Sequence, residues 1–424
     1  MSALVSATGL WGADKAVTLS GCTPHKHDPS PIKPQFVAPE RLSSLTFGPL
    51  ALAAAVARAA ATRDNAPVSV LNALQRSTLP MLQTMIEDGT TFNLSPNFQY
   101  LADTERTFLA ARVGSGTTDL YMTALGYTWR ANAACLSSTL DPHADFIYEG
   151  GSASGNGVVL AEAHGSFAAN ASAQSVHLQS KNKYLRQVKP YLAMTSPYGE
   201  VIHGYSIAFG SRPGAPGAFL SLSETKIPKM KKGEPPTTPE ARTRGDGAPT
   251  SIALATHRSN FFLAGADDVI NWIDWVRAAD GAPPEPTPVE FLRMQYAGRS
   301  YLVHASSLWW PDHEWIEEFF DHQHLWPLTP RWSSRLLLGR GPRLGWFAVE
   351  ETAGTNFLKS LTGIIQDGGR STPATLPLPN FVPVGFGLAG LTAEGRGDDS
   401  GYQYTLFRDD FALLEDPIVG ALSA

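Results

Sequence analysis

The segment Val158-Val159-Leu160-Ala161-Glu162-Ala163 most constrains how this chain folds. It is a continuous apolar run interrupted by one carboxylate, the pattern of a strand buried on both faces at the centre of a sheet. A carboxylate there is costly to bury unless it is paired or holds a cation. Ala144–Tyr148 reads as a second short strand, separated from the first by the Gly/Ser/Asn-rich turn Glu149–Gly157, and Tyr127–Arg130 begins another strand-like stretch. Downstream, Ala171–Val188 has helical spacing and is stopped by Pro190. Glu200–Gly210 is again a strand. Upstream, Thr104–Leu125 is helical, with Gly114 and Gly116 expected to divide it in two. The order helix, strand, strand, strand, helix, strand describes a compact α/β unit.

The rest of the 424 residues is arranged around that unit. Residues 1–45, rich in Pro and His, read as an irregular lead-in, and 46–103 as a helical region. In the latter, Leu50–Ala61 is Ala-rich with Pro49 ahead of its first turn, and Val68–Ile86 is a helix broken at Pro80. Residues 104–223 form the α/β domain. Residues 224–250, basic and Pro/Gly-rich, read as a linker or loop. Residues 251–424 read as an α+β region whose last hundred residues are short strands joined by Gly/Pro turns. Lys+Arg 33 against Asp+Glu 39 leaves a net charge of −6, which excludes a global positive field for nucleic acid and leaves only a local basic groove. No apolar run reaches the ~20 residues of a membrane helix, so no membrane partner is expected. Leu19-Ser20-Gly21-Cys22 has the form of a lipoprotein cleavage box, but Asp14 and Lys15 interrupt what precedes it. Two cysteines at unrelated positions, Cys22 and Cys135, point to a reducing, cytoplasmic setting.

Chemistry concentrates between Asp145 and Gln187. Two carboxylates on adjacent strands, Asp145 and Glu162, are suited to share one hard divalent ion, with the Ala163 carbonyl as a third ligand and waters completing the shell. An ion so held activates a water and stabilises charge on a phosphodiester oxygen. An aspartate, then Glu162-Ala163-His164 on the next strand, then Lys183-Tyr184-x-x-Gln187-Val188-x-x-Tyr191 on the following helix resembles the PD-(D/E)xK restriction-endonuclease-like superfamily. The resemblance covers about residues 104–210. It implies a central mixed sheet flanked by helices and a Mg2+- or Mn2+-dependent nuclease acting on DNA or RNA. Asp145 would match the first acidic position and Glu162 the second. An acid from the preceding helix, Glu105 or Asp119, would add to the site. The family's lysine is replaced by His164, which would position or deprotonate the attacking water. Lys181 or Lys183 would restore the missing charge, and Lys183 and Gln187 would reach the phosphate or the base side.

Other features carry competing readings. Glu162 would alternatively form a structural ion pair with Arg130, Lys183 or Arg186. Lys181, Lys229, Lys231, Lys232, Arg242 and Arg244 would contact a nucleic-acid backbone, against the alternative of a solvated loop. His313/Glu317 and Glu318/His322 lie at i, i+4 spacing, which defines a second, metal-dependent hydrolase reading for residues 312–324. His203 would face either the core or the site. Leu338-Gly339-Arg340-Gly341 lacks the third glycine of a phosphate cradle. The aromatic-rich C-terminal half, with Trp309-Trp310 at its centre, suits a protein partner. With the lysine replaced, the alternative to an enzyme is a catalytically silent nuclease-fold scaffold or recognition subunit.

Overall fold

The computed structural model describes residues 13–31, 39–62, 81–82, 84–137, 141–150, 157–229, 248–278, 281–285, 289–296, 298–304, 346–368, 375–376, 395–396 and 403–414. The expected break at Pro80, the 312–324 cluster, Trp309-Trp310 and the Gly339 region lie outside them.

The larger sheet is mixed. Its strands are β1 (Lys15–His25), β2 (Ser44–Phe47), β3 (Arg130–Asn132), β4 (Phe146–Glu149), β5 (Val158–Ser166), β6 (Thr195–Ser196), β7 (Gly199–Ser211) and β8 (Ala218–Thr225). They run in the order β2-β1-β8-β7-β5-β4-β3, with β6 paired to β7. β3, β4 and β5 form an antiparallel meander, β5 and β7 are parallel, and β7 and β8 antiparallel. Residues 15–25, expected to be irregular, instead form β1, parallel to β8. Cys22 lies inside that strand, opposite Leu222. Only the first residues of β1 alternate, Lys15 and Val17 inward and Ala16 and Thr18 outward, where the strand pairs with β2. The Lys15 ammonium, buried at the start, donates to the carbonyls of Glu87, Gly89 and Thr91 at 2.8, 2.8 and 3.2 Å.

Helices cover both faces. On one lie α1 (Pro49–Ala61) and α2 (Asp103–Ala124); on the other lies α3 (Ala173–Lys183), continued by a π-turn over Tyr184–Val188. α2 is a single helix despite its glycines. Gly114 and Gly165 are there because backbones meet: a Cβ on Gly165 would stand 1.7 Å from the Ala110 carbonyl oxygen, and one on Gly114 2.5 Å from the Gly165 nitrogen. The close approach of α2 to β5 compensates for the intrinsic cost of glycine in a helix.

Beyond the larger sheet, β9 (Ala248–Pro249) pairs with β13 (Thr375–Leu376). The helices α4 (Thr250–Leu263), α5 (Asp267–Ala278) and α6 (Glu351–Gln366) accompany a second sheet. That sheet runs β10 (Phe291–Tyr296), β11 (Arg299–His304), β12 (Trp346–Glu350), β16 (Phe411–Leu414), β15 (Gln403–Leu406), β14 (Gly395–Arg396). α6 lies within the stretch expected to hold only strands. Its buried stripe, Ala353, Gly354, Phe357, Leu361 and Ile364, has helical spacing.

The two sheets are joined by buried charge. Arg58 of α1 donates to Asp119 of α2 at 3.0 Å and to both carboxylate oxygens of Asp409, in the β15–β16 turn, at 2.8 and 3.0 Å. Arg130 of β3 and Asn260 of α4 also donate to Asp409, at 3.2 and 3.1 Å, and the Tyr148 hydroxyl donates to Asp119 at 3.1 Å. Burial alone would raise the Asp409 pKa, but Arg58 and Arg130 hold it down to about 2. Replacing Asp409 with Ala leaves two buried guanidiniums sharing the single carboxylate of Asp119. The expected loss is about 3–5 kcal/mol of unfolding free energy, read by denaturant titration. Gly165→Ala is expected to cost at least ~1–3 kcal/mol through overpacking against α2, read the same way.

Candidate functional site

Strand register assembles the site. β4 and β5 are antiparallel with Phe146 opposite Ala161, so Asp145, one residue before β4, falls opposite Glu162. Side chains alternate along β5, so Leu160, Glu162 and His164 share the face covered by α3. Gly165 has the opposite parity and meets α2. Asp145 is exposed as a residue, but its carboxylate is turned onto the sheet, where Oδ2 accepts the Ala163 N–H at 2.8 Å. Ala163 thus contributes its amide to the arrangement. Glu162 is 1% exposed.

The helix supplies the cation. Lys183 Nζ lies 3.1 Å from Glu162 Oε1 and donates to Gln187 Oε1 at 2.6 Å. The Gln187 amide then donates to the His143 carbonyl at 2.8 Å, and the Tyr191 hydroxyl to the Pro142 carbonyl at 3.1 Å. The motif Lys183-x-x-x-Gln187-x-x-x-Tyr191 therefore ties α3 and its π-turn to the loop that presents Asp145. Tyr184 anchors the same turn to the sheet: its hydroxyl is 2.7 Å from Thr225 Oγ1, and its ring stacks on His25 at 4.3 Å.

Burial and the neighbouring Asp145 push the Glu162 carboxyl up to about 9, against the opposing pull of Lys183. Burial raises the Asp145 carboxyl as well. Burial, then Lys183, lowers the His164 imidazole to about 4, so it is neutral at pH 7. Glu162 Oε2 is buried with no hydrogen-bond donor from the protein. That open acceptor beside a second carboxylate fits a proton shared with Asp145 or a hard divalent cation equally well.

Several expected participants sit elsewhere. Asp119 is on the α2 side, inside the Arg58–Asp409 network, and Arg130 belongs to that network too, so neither meets Glu162. Glu105 caps α2, its Oε2 accepting the Ala102 N–H at 2.7 Å. His203 is opposite Val159 and so faces α2, fully buried, with a pKa lowered by burial to about 3. A histidine with a pKa near 4 is a poor proton acceptor at neutral pH, so His164 is a weak candidate for the general base. Lys181 is half-buried on α3, and Lys229 is exposed beyond β8; Lys231, Lys232, Arg242 and Arg244 lie outside the described residues. Ser206, which pairs with Glu162 across β5 and β7, was not anticipated. Its only sequence signal is a small polar residue at an inward position of a strand.

Among the described residues, no cluster of three His, Cys, Asp or Glu side chains is placed to hold a metal, and no helix is long and apolar enough to cross a membrane. Compared with family models, curated proteins and solved structures, the chain matches none.

The folded state holds the Glu162 proton more tightly than the unfolded chain, so this group erodes stability as pH climbs from 4.5 towards about 9. Glu162→Gln cannot ionise. In metal-free buffer its melting temperature is expected to exceed that of wild type by a margin that grows between pH 5 and 9, with roughly 1 °C for each kcal/mol relieved in a chain of this length.

Proposed function

We propose that the chain is a metal-dependent phosphodiesterase of restriction-endonuclease-like type, acting on DNA or RNA. The observation that carries this reading is the Lys183 amine, 3.1 Å from Glu162, supplying from α3 the positive charge that His164 does not. The order α2, β3, β4, β5, α3, β7, with Asp145 leading into the second strand and Glu162 inside the third, supports it. So does the absence of any Asp or Glu from Ala163 to Gly199, a stretch carrying Lys181, Lys183, Arg186 and Lys189.

Asp145 and Glu162 would hold a Mg2+ or Mn2+ ion between them. When bound, such an ion polarises a phosphoryl oxygen and lowers the pKa of a coordinated water. Lys183 places a fixed charge where negative charge develops on the phosphate, and Gln187 holds that amine in place. Neutral His164 orients the nucleophilic water by hydrogen bonding. Lys181, Arg186 and Lys189 contact the backbone, and Lys229 extends the basic surface.

A catalytically silent scaffold is the second reading. It is favoured by the Asp145–Glu162 pair, which a shared proton satisfies without a metal, and by the lack of a third ligating side chain among the described residues. Mn2+ titration calorimetry on wild type, Asp145→Ala and Glu162→Ala, with plasmid and single-stranded RNA cleavage on the same preparations, separates the two. The nuclease reading expects binding and cleavage in wild type and neither in the variants. No binding in wild type overturns it. Lys183→Ala is expected to retain Mn2+ and to lose roughly 10²–10³-fold in cleavage rate, the usual cost of removing one transition-state charge stabiliser.

A further inference from the structure

Behind the site, three buried polar atoms on the α3 face of the sheet have no partner in the protein: Glu162 Oε2, Ser206 Oγ and Ser223 Oγ. Register puts them in one row. Glu162 pairs with Ser206 across β5 and β7, Ser206 with Ser223 across β7 and β8, and Thr23 of β1 pairs with Ser223. The far end is closed, because Thr23 Oγ1 lies 3.0 Å from His177 Nε2. Ser206 and Ser223 are fully buried, and α3 roofs them through Ser180, whose hydroxyl donates to the Ser206 carbonyl at 2.8 Å.

Side chains directly opposite across strands stand about 4.5–5.5 Å apart at Cβ. The two hydroxyls and the carboxylate oxygen therefore approach one another without meeting. Two buried hydroxyls and a carboxylate oxygen, neighbours in register beneath a helix and without partners, are the groups one buried water satisfies, since such a water makes about three hydrogen bonds to otherwise unsatisfied groups. A carboxylate oxygen has two lone pairs, so Glu162 Oε2 can accept from such a water and still share a proton or a cation with Asp145.

We propose that Ser206 and Ser223 hold one buried water against Glu162 Oε2, and that Ser206 is thereby the positioning residue for the metal-binding carboxylate. The role of Ser206 rests on the reading of Glu162 as a ligand; the water itself does not. With Lys183 fixing Oε1 and the water fixing Oε2, the carboxylate has one orientation before any cation arrives. Outer-shell partners of this kind raise metal affinity by roughly 10–100-fold.

The test joins a high-resolution crystal structure of the wild-type protein to Mn2+ calorimetry on Ser206→Ala and Ser206→Thr. Density for a water within hydrogen-bonding distance of Glu162 Oε2, Ser206 Oγ and Ser223 Oγ is expected. Ser206→Ala is expected to bind Mn2+ about tenfold more weakly, with an unchanged unfolding transition. Ser206→Thr, which keeps the hydroxyl, is expected to restore the affinity. An empty row in the crystal, or wild-type affinity in Ser206→Ala, overturns the proposal. If the wild type takes no Mn2+, the nuclease reading fails instead, and the density alone then decides the water.

Discussion

The Arg58–Asp409 pair is the interaction on which the arrangement of this molecule depends. Asp409 comes from the turn of a hairpin near the end of the chain and meets Arg58 of α1, Arg130 of β3 and Asn260 of α4. Burying such charges is costly, and the cost is recovered only while every partner is in place. The geometry is therefore all-or-none. The Arg58 guanidinium also stacks on the Phe407 ring at 3.8 Å, so the hairpin is held by its apolar flank as well as its carboxylate. The same network protects the exposed edge of the larger sheet. β3 is its last strand, and Thr256 of α4 engages both the N–H and the C=O of Arg130 at 2.8 Å, leaving that edge position closed to further pairing. The C-terminal region thus completes the α/β domain.

This division of labour separates stability from chemistry. On the α2 face the Arg58–Asp409 pair is one whose ionisation favours the fold, with Asp409 held down to about 2. The α3 face holds charges whose ionisation opposes it, with Glu162 pushed up to about 9. Two carboxyls crowded together, with one lysine paired to the buried Glu162, form a site under electrostatic tension. A shared proton would relieve that tension, and so, in the proposed reading, would a divalent cation that compensates both carboxylates at once.

The central unit was legible because two periodicities alternate cleanly there. The apolar run of β5, the short β4 and the Ala173–Lys183 helix each followed from local pattern, and the Asp145–Glu162–Lys183–Gln187 grouping followed from their order. What stayed hidden depends on partners far along the chain. β1 has the composition of a loop and becomes a strand because β8 offers it an edge 200 residues away. Gly114 and Gly116 look like helix breakers until Gly165 and Val56 are seen against them. Asp119 has the type and helix position of a site residue, and only the face it lies on, set by Arg58, removes it. Residue parity on a strand decides such questions, and a single register fixes it for every residue at once.

In the proposed reading the site's lysine comes from the helix and not from the strand, and this changes what the site depends on. A lysine at position 164 of β5 would be positioned by the strand itself, paired there with Ala208 of β7. Lys183 is instead positioned by the last turn of α3, by the π-turn that follows and by Gln187, which is itself tied to the His143 carbonyl. Helix irregularities of this kind recur at functional sites because they redirect side chains that a regular helix would place elsewhere. The turn is in its place because Tyr184 bonds Thr225 at the end of β8 and stacks on His25 at the end of β1. A segment that reads as an irregular lead-in therefore stands two contacts away from the charge on which the proposed chemistry relies. The N-terminal strand thus supports the site as well as the sheet.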